Sequence, residues 1–507
     1  MRYGFAIDQR TCIGCHACTV ACKTEHEVPV GQFRTWVKYV DKGEYPSTTR
    51  EFGVLRCNHC TDAPCVSICP TTALFKRDDG IVDFDADNCI GCKSCLQACP
   101  YDAIYIDADT NTAAKCNFCA HRVDEGLEPA CVVVCPTHSI WVGDVDDPSS
   151  GIGRLIRENP VTVRAAEQNT GPNVFYLGAD RAVLDPLEAP VRDTYLWAKP
   201  DDQRLATAGD VAESTVTQAT TTLNTAHPRP WGWRVSTYLW TKSVGAGALL
   251  VVALALFLRI DLGVLTDVVA PVLALAMTAV TGLLLVWDLK RPARFLYMFL
   301  RPQWRSWVTL GAFVLVGFGG VALLWLLAGV GGADGALALV RWLAIPAGVL
   351  AAGYTAFLFG QAEGRDLWQS PLLFWHLVVQ AFMVGSGALA VIAQAVDVSD
   401  EGQRLLARVL LIAAVVHLLM LALEYGTKHA TRNASVAAHV LIRGRYAGMF
   451  WGGNALAGIA AVLAVAGWGG VSGSAAVAVV VAGVLVQVAL LAYETVFVRA
   501  AQEVPLS

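Results

Sequence analysis

The sequence has no cysteine after Cys135: all 16 lie in the first 135 of its 507 residues, and the 372 that follow have none. Thiol chemistry is therefore confined to the N-terminal part. Charge is also scarce. Only 16% of residues are charged against 55% hydrophobic, a balance expected of a chain with a membrane part rather than of a soluble protein. No basic block or aromatic–basic interleaving occurs, so no nucleic-acid partner is expected, and a net charge of −5 says little about others. The opening residues, Met1-Arg2-Tyr3-Gly4-Phe5-Ala6-Ile7-Asp8, hold neither a twin arginine nor an apolar core, so no secretory signal is expected. That argues against a disulfide-stapled secreted module as the use of so many cysteines.

What is present falls into four groups of four: Cys12-x2-Cys15-x2-Cys18-x3-Cys22, Cys57-x2-Cys60-x4-Cys65-x3-Cys69, Cys89-x2-Cys92-x2-Cys95-x3-Cys99 and Cys116-x2-Cys119-x11-Cys131-x3-Cys135. Thiolates are soft ligands, and sixteen of them are the number that four [4Fe–4S] cubanes require. Two of the groups repeat the bacterial ferredoxin run in full. Zinc is the competing reading of paired Cys-x2-Cys, but the x2-x2-x3 bursts fit cubane corners better. Gly14 and Gly91 are expected to turn the backbone around the sulfurs; Pro70, Pro100 and Pro136 close three groups, while Lys23 follows Cys22. In ferredoxins with two such runs the fourth cysteine of one ligates the cluster of the other. Here that crossing must occur twice, and spacing leaves open which runs exchange.

The chain then changes character. Leu184-Asp185-Pro186, Lys199-Pro200-Asp201-Asp202 and a Thr/Ala-rich stretch from Thr215 to Thr225, ending in His227-Pro228-Arg229-Pro230, read as a mobile tether. From about residue 235, apolar runs near 238–259, 264–287, 307–330, 338–361, 371–396, 404–424, 446–468 and 474–498 are each long enough to cross a bilayer. The expected fold class is thus an α+β two-part chain. A double bacterial-ferredoxin-like iron–sulfur domain (1–184) is followed by a linker (185–234) and an all-α eight-helix transmembrane domain (235–507).

An even helix count keeps both ends of the membrane part on the side of the clusters. Loops on that side and the C-terminus carry Lys290, Arg291, Arg294, Arg301, Arg305, Arg365, Lys428, Arg432, Arg443, Arg445 and Arg499; the opposite loops carry Arg259, Arg341, Arg404 and Arg408. Eleven charges against four place the iron–sulfur domain on the cytoplasmic face of the cell membrane by the positive-inside rule.

Two resemblances sharpen these expectations. Residues 1–180, with the tail Gly143-Asp144-Val145-Asp146-Asp147-Pro148-Ser149-Ser150 and Asn173-Val174-Phe175-Tyr176-Leu177, resemble the four-cluster subunit of molybdopterin oxidoreductases such as polysulfide, dimethyl sulfoxide and tetrathionate reductases and formate dehydrogenases. The resemblance implies that the first and fourth runs exchange, as do the second and third. Cys12, Cys15, Cys18 and Cys135 would hold one cluster, and Cys116, Cys119, Cys131 and Cys22 its neighbour. Cys57, Cys60, Cys65 and Cys99 would share a third, with Cys89, Cys92, Cys95 and Cys69 on the last. Trp287-Asp288-Leu289-Lys290-Arg291-Pro292-Ala293-Arg294-Phe295, Leu300-Arg301-Pro302, Ser306-Trp307, Tyr354 and Asp366-Leu367-Trp368-Gln369-Ser370-Pro371 resemble the NrfD-like polysulfide reductase membrane subunits, which bind quinone. Together they imply an electron-transfer and anchor subunit of a membrane oxidoreductase, working between membrane quinone or menaquinone and a separate molybdopterin-containing catalytic subunit.

Polar groups inside apolar helices are costly and are the first candidates for a quinone and proton site. Tyr238 and Lys242 on the first helix, Asp288 ending the second and Tyr354 on the fourth are expected near the cluster-facing side, where hydrogen bonds to quinone oxygens or proton relay would operate. The resemblance puts Tyr238 and Tyr354 where relatives have quinone-contacting His and Tyr. Plainer roles compete: a belt aromatic for Tyr238, a snorkelling Lys242, and an Asp288 ion pair with Arg291 and Arg294. His376 and His417 raise bis-histidine haem ligation, as in a formate dehydrogenase-type anchor, but are read first as an interior hydrogen-bonded pair. Glu424 is expected to serve a proton path or to contact the loop 428–432. A redox sensor with structural clusters is the alternative from another class.

Overall fold

A computed structural model describes residues 1–191, 219–226 and 229–507. In the N-terminal part, β1 (Tyr3–Asp8), β8 (Ile140–Asp144), β9 (Val161–Thr162) and β10 (Val174–Leu177) form one sheet in the order β8-β1-β10-β9. β1 runs parallel to β10 and antiparallel to β8. A second sheet has the order β11-β2-β3, from Ala219–Leu223, Thr35–Lys42 and Thr49–Arg56. Phe5, Ile7, Trp36, Val54, Leu55, Val174 and Tyr176 from these strands bury one shared apolar core. Two short hairpins complete the part: β4 (Leu74–Lys76) with β5 (Val82–Phe84), and β6 (Ile104–Ile106) with β7 (Ala113–Lys115). Gly14 and Gly91, at φ +68° and +69°, occupy the left-handed region that the tight turns after Cys12 and Cys89 require.

One expectation is corrected here. The stretch 185–234 is not simply a tether, because Ala219–Leu223 within it pairs antiparallel with β2. The physical reason lies in its Thr-Thr-Thr run: β-branched residues suit a pleated edge, and β2 offers an open one. The indole of Trp36 fixes the end of this strand by donating to Asn224 Oδ1 at 3.1 Å. Lys199–Asp202, the first residues of the Thr/Ala stretch and His227-Pro228 lie outside the described residues.

Among the described residues the membrane part has eight helices of membrane-spanning length: α1 (Trp233–Phe257), α2 (Leu265–Asp288, its first turn wound as π-helix), α3 (Trp307–Val330), α4 (Asp334–Gly360), α5 (Leu373–Ile392), α6 (Asp400–Gly426), α7 (Ala447–Val465) and α8 (Ser474–Ala500). Each has the length and mean hydropathy of a membrane span, and this is a multi-pass membrane protein. α1 begins five residues before its apolar run, since Trp233 and Arg234 belong to the interface rather than to the lipid core. Its crossing with α5 is close. A Cβ on Gly247 would stand 1.8 Å from the Ala381 carbonyl oxygen, and one on Gly385 would stand 2.3 Å from the Gly247 carbonyl carbon. Without a hydrophobic drive between helices in lipid, such small-residue contacts are what let backbones pack. α6 is capped by Ser399, whose hydroxyl accepts from Gly402 N–H, with Asp400 and Glu401 in the favourable first turn.

Candidate functional site

The cysteines form a row. Cys12, Cys15, Cys18 and Cys135 line one cavity at its outer end, and Cys69, Cys89, Cys92 and Cys95 line another at its inner end. Between them Cys22 neighbours Cys116, Cys131 and Cys119, and Cys65 neighbours Cys57, Cys99 and Cys60. Adjacent groups come within electrostatic reach of one another at Cys18 and Cys131, Cys116 and Cys57, and Cys95 and Cys65. The helices that start at Ala17, Pro64, Ser94 and Ala130 carry Cys18, Cys65, Cys95 and Cys131.

All sixteen cysteines are free of disulfides. Burial pushes the Cys18, Cys60, Cys92 and Cys99 thiols up to about 12, neighbouring thiols adding to the effect. At Cys135 burial is outweighed by the N–H groups of Thr137, Ser139 and Ile140, and its thiol sits below the ordinary value. Buried thiols of this kind stay ionised only against compensating positive charge, so this donor set fits iron–sulfur clusters whose binding is coupled to folding.

Basic residues thread the same region, and sequence reasoning passed over them. Arg56 is fully buried; its Nη1 donates to Cys131 Sγ at 3.2 Å and its guanidinium lies 4.4 Å from the Phe5 ring. Lys115 donates to Cys116 O at 2.8 Å, and His26 Nε2 lies 3.1 Å from Cys119 Sγ. Arg56 precedes Cys57, Lys115 precedes Cys116 and Lys93 follows Cys92, an adjacency that was open to reading.

The inner group is docked against the membrane helices. Lys290 and Arg291 donate backbone N–H bonds to Gly91 O and Ile90 O at 3.1 and 3.2 Å. Arg294 Nη1 donates to Ala86 O at 2.7 Å and to Cys89 O at 3.1 Å, while Arg291 Nε reaches Thr110 O at 2.7 Å. Thr309 donates to Pro70 O and Ser306 to Ile68 O. On the other flank Arg365 bonds Gln97, which bonds Gln502; burial lowers the Arg365 pKa, against the raising influence of Asp102. The loop after α2 is therefore the seat of the cysteine module.

A cavity opens from this seat into the helices. Cys92 and Ser94 lie at one end and Tyr354 further in, with Trp231, Tyr238, Asp288, Met298 and Leu358 among its walls. Trp231 donates to Cys92 O at 3.4 Å and stacks on Trp368 at 5.4 Å. Tyr238, Asp288 and Tyr354 thus share one cavity. Lys242 stands behind it, 5.1 Å from the Tyr354 ring, donating to Ala352 O at 2.6 Å and Thr355 Oγ1 at 2.9 Å. Neither Tyr238 nor Lys242 is at the lipid interface, both being 3% exposed. The Asp288 partners differ from expectation: it meets Lys93 at 2.7 Å and Arg234 at 3.8 Å, because Arg291 and Arg294 are already committed to carbonyls of the cysteine loops.

His376 Nε2 and His417 Nδ1 are 2.8 Å apart, hydrogen-bonded to each other. A bis-histidine haem iron would need its two ligand nitrogens about 4 Å apart with the metal between them, so this pair does not fit haem ligation. Glu424 turns to His376 Nδ1, 3.8 Å away, rather than to the loop 428–432. Arg432 in that loop region meets Asp185 and Glu188 instead.

Residues 221–505 match the family described as "Polysulphide reductase, NrfD", and residues 49–145 match a "4Fe-4S dicluster domain" that leaves the first cysteine run outside. The chain belongs to the NrfD polysulphide reductase family and carries an iron–sulfur electron-transfer module fused to the membrane module. The N-terminal part is similar to the B subunit of tetrathionate reductase from Salmonella typhimurium, 45% identical over 190 residues, covering 37% of this chain and 76% of that one. It is also similar to the B subunit of polysulfide reductase from Wolinella succinogenes (40% identical, 36% and 98% covered). A third relative is the arsenate respiratory reductase iron-sulfur subunit ArrB of a Shewanella species (34% identical, 35% and 96% covered).

Proposed function

We propose that this chain carries electrons through four [4Fe–4S] clusters between a molybdopterin-containing catalytic subunit and membrane quinone, within an oxidoreductase complex. The observation that carries the reading is the row itself, from exposed Cys15 at one end to Cys92 at the mouth of the Tyr238–Tyr354 cavity at the other. Cys12, Cys15, Cys18 and Cys135 hold the outermost cluster, and Cys22, Cys116, Cys119 and Cys131 the next. Cys57, Cys60, Cys65 and Cys99 hold the third, and Cys69, Cys89, Cys92 and Cys95 the innermost. Such clusters supply one-electron exchange when bound. The protein buries their ligands, sets fixed positive charge beside them through Arg56 and Lys93, and presents Tyr238, Tyr354 and Asp288 to a quinone head group. The partner is supported by the relatives, which are named as subunits of tetrathionate, polysulfide and arsenate reductases.

The functional units are residues 1–184 with the added strand Ala219–Leu223, and the membrane part from Trp233 on, and the excess of Lys and Arg on the cluster side supports a cytoplasmic location for the first. Labelling of intact cells that modified residues 1–180 from outside would reverse that orientation. The electron path is tested on the purified full chain. Iron analysis is expected to give about sixteen irons per chain, and reduced clusters mixed with a menaquinone analogue are expected to lose their EPR signals as quinol forms. Retention of the signals in the presence of quinone would overturn the reading.

A further inference from the structure

The quinone reading leaves several buried titratable side chains without a task, and they are contiguous. Glu424, near the cluster-side end of α6, lies 3.8 Å from His376 Nδ1, and His376 bonds His417 at 2.8 Å. Tyr493 on α8 packs its ring against both imidazoles, at 5.5 and 5.6 Å between centroids. The next residue, Glu494, is 1% exposed and lies within electrostatic reach of Tyr493, Tyr425, Tyr238 and Lys242. Lys242 and Tyr238 bring the series to the cavity.

Two features separate this series from a static polar core. Among the described residues, His376 Nδ1, Gln380 Oε1 and Glu494 Oε1 are buried with no hydrogen-bond partner, and the Tyr425 and Tyr493 hydroxyls beside them have only each other. A fold that leaves three such atoms unsatisfied in one place inside a membrane bundle carries a cost with no structural return, which points to another use for these groups. Secondly, every member lies in the cluster-side half of its helix: His376 is near the start of α5, His417 and Glu424 are toward the end of α6, and Tyr493 and Glu494 are near the end of α8.

We propose that Glu424, His376–His417, Tyr493 and Glu494 form the proton route between the iron–sulfur face of the membrane and the quinone cavity. This rests on the quinone reading above. A quinone that takes two electrons from the clusters takes two protons and leaves as quinol; the reverse reaction releases both by the same route. Electrons and protons then use one face, and turnover at this cavity moves no net charge across the bilayer. Glu424 is the entry group. The titratable groups facing it are His376 from α5, its own neighbour Tyr425, and Tyr493 from α8.

The test uses the full chain with its clusters, reconstituted in liposomes with a menaquinone analogue and reduced by dithionite from the cluster side. Glu424→Gln is expected to slow quinol formation at least about tenfold. The quinone KM should stay within twofold, the slowing should deepen as pH rises, and cluster EPR spectra should match wild type. Azide, a small permeant weak acid, should restore much of the rate, and Glu424→Asp should retain it. Tyr493→Phe, which keeps the packing and removes only the hydroxyl, should show a smaller loss of the same form. A potential-sensitive dye should register no membrane potential during wild-type turnover. Wild-type rates in Glu424→Gln at every pH, or a potential formed by turnover, would overturn the route while leaving the quinone reading intact. A wild-type chain that makes no quinol from reduced clusters would overturn that reading and the route with it.

Discussion

At the outer end of the cysteine row Cys15 is exposed and Cys12 and Cys135 are half-buried, with the neighbouring Ile13, Val20, Val133 and Val134 turning apolar side chains to solvent. At the inner end Cys69, Cys89 and Cys95 are buried, and their loops are bonded to α2, α3 and the segment between them. The same ligand chemistry is thus mounted in two settings. One end is open to solvent, and the other is closed by the chain itself. Such an asymmetry suits the proposed fixed wire better than it would a carrier that diffused between partners.

The comparison is broken most severely by removing one ligand at each end. Cys95→Ser is expected to abolish reoxidation of the clusters by quinone while the outer clusters still accept electrons from dithionite. Cys15→Ser is expected to leave quinone-linked oxidation of the inner clusters in place. Rapid-mix EPR distinguishes the two; identical behaviour of the variants would mean that the ends are not functionally distinct. Stripping iron with a chelator separates the two halves of the chain next. Residues 1–180 should become protease-sensitive, since their folding is coupled to the metal, while the helical circular dichroism of α1–α8 persists.

How far these features were legible differs between the halves. Cysteine spacing marked the four groups of thiols that the fold sets in a row, because a cubane would demand four thiolates from short loops whatever surrounds it. It could not say which runs lie side by side, since that depends on how two sheets and two hairpins fold over one another. Hydropathy placed all eight helices, missing chiefly the interfacial turn at Trp233. The edge strand at Ala219–Leu223 was not legible, because its stability comes from the open edge of β2, 177 residues earlier at Lys42. Tyr238, Asp288 and Tyr354, noted as polar residues on the cluster-side parts of apolar helices, line one cavity. Glu494 was overlooked although it is an acid within a long apolar helix, which is itself a signal.

A smaller effect sharpens the comparison at the cavity. Tyr354→Phe removes one hydroxyl and is expected to slow quinone turnover about tenfold, roughly what a single hydrogen bond is worth, with the cluster spectra unchanged. Gly311→Ala reaches the same ring by sterics. The added Cβ would stand 2.2 Å from Tyr354 Cε2, so the ring must turn, and turnover should fall without loss of any polar group. If Gly311→Ala were silent while Tyr354→Phe slowed the reaction, the hydroxyl alone would matter and not its placement.

The smallest expected effect comes from the seat of the inner group. Arg294→Ala deletes charge-assisted bonds to Ala86 O and Cys89 O, each worth about 1.5–3 kcal/mol at most. The backbone bonds from Lys290 and Arg291, and those of Ser306, Thr309 and Arg365, remain, so the module should stay docked. What changes is the charge beside the inner cysteines. Loss of a cation close to a cluster favours its oxidised form, lowering the midpoint potential of the innermost cluster by tens of millivolts. The outer clusters, more than one group away along the row, should hold theirs. Potentiometric EPR measures the two ends in one titration. An equal shift at both would mean that the charge acts through a general loosening of the fold, and a shift confined to the inner end would show that the seat tunes the terminus it supports.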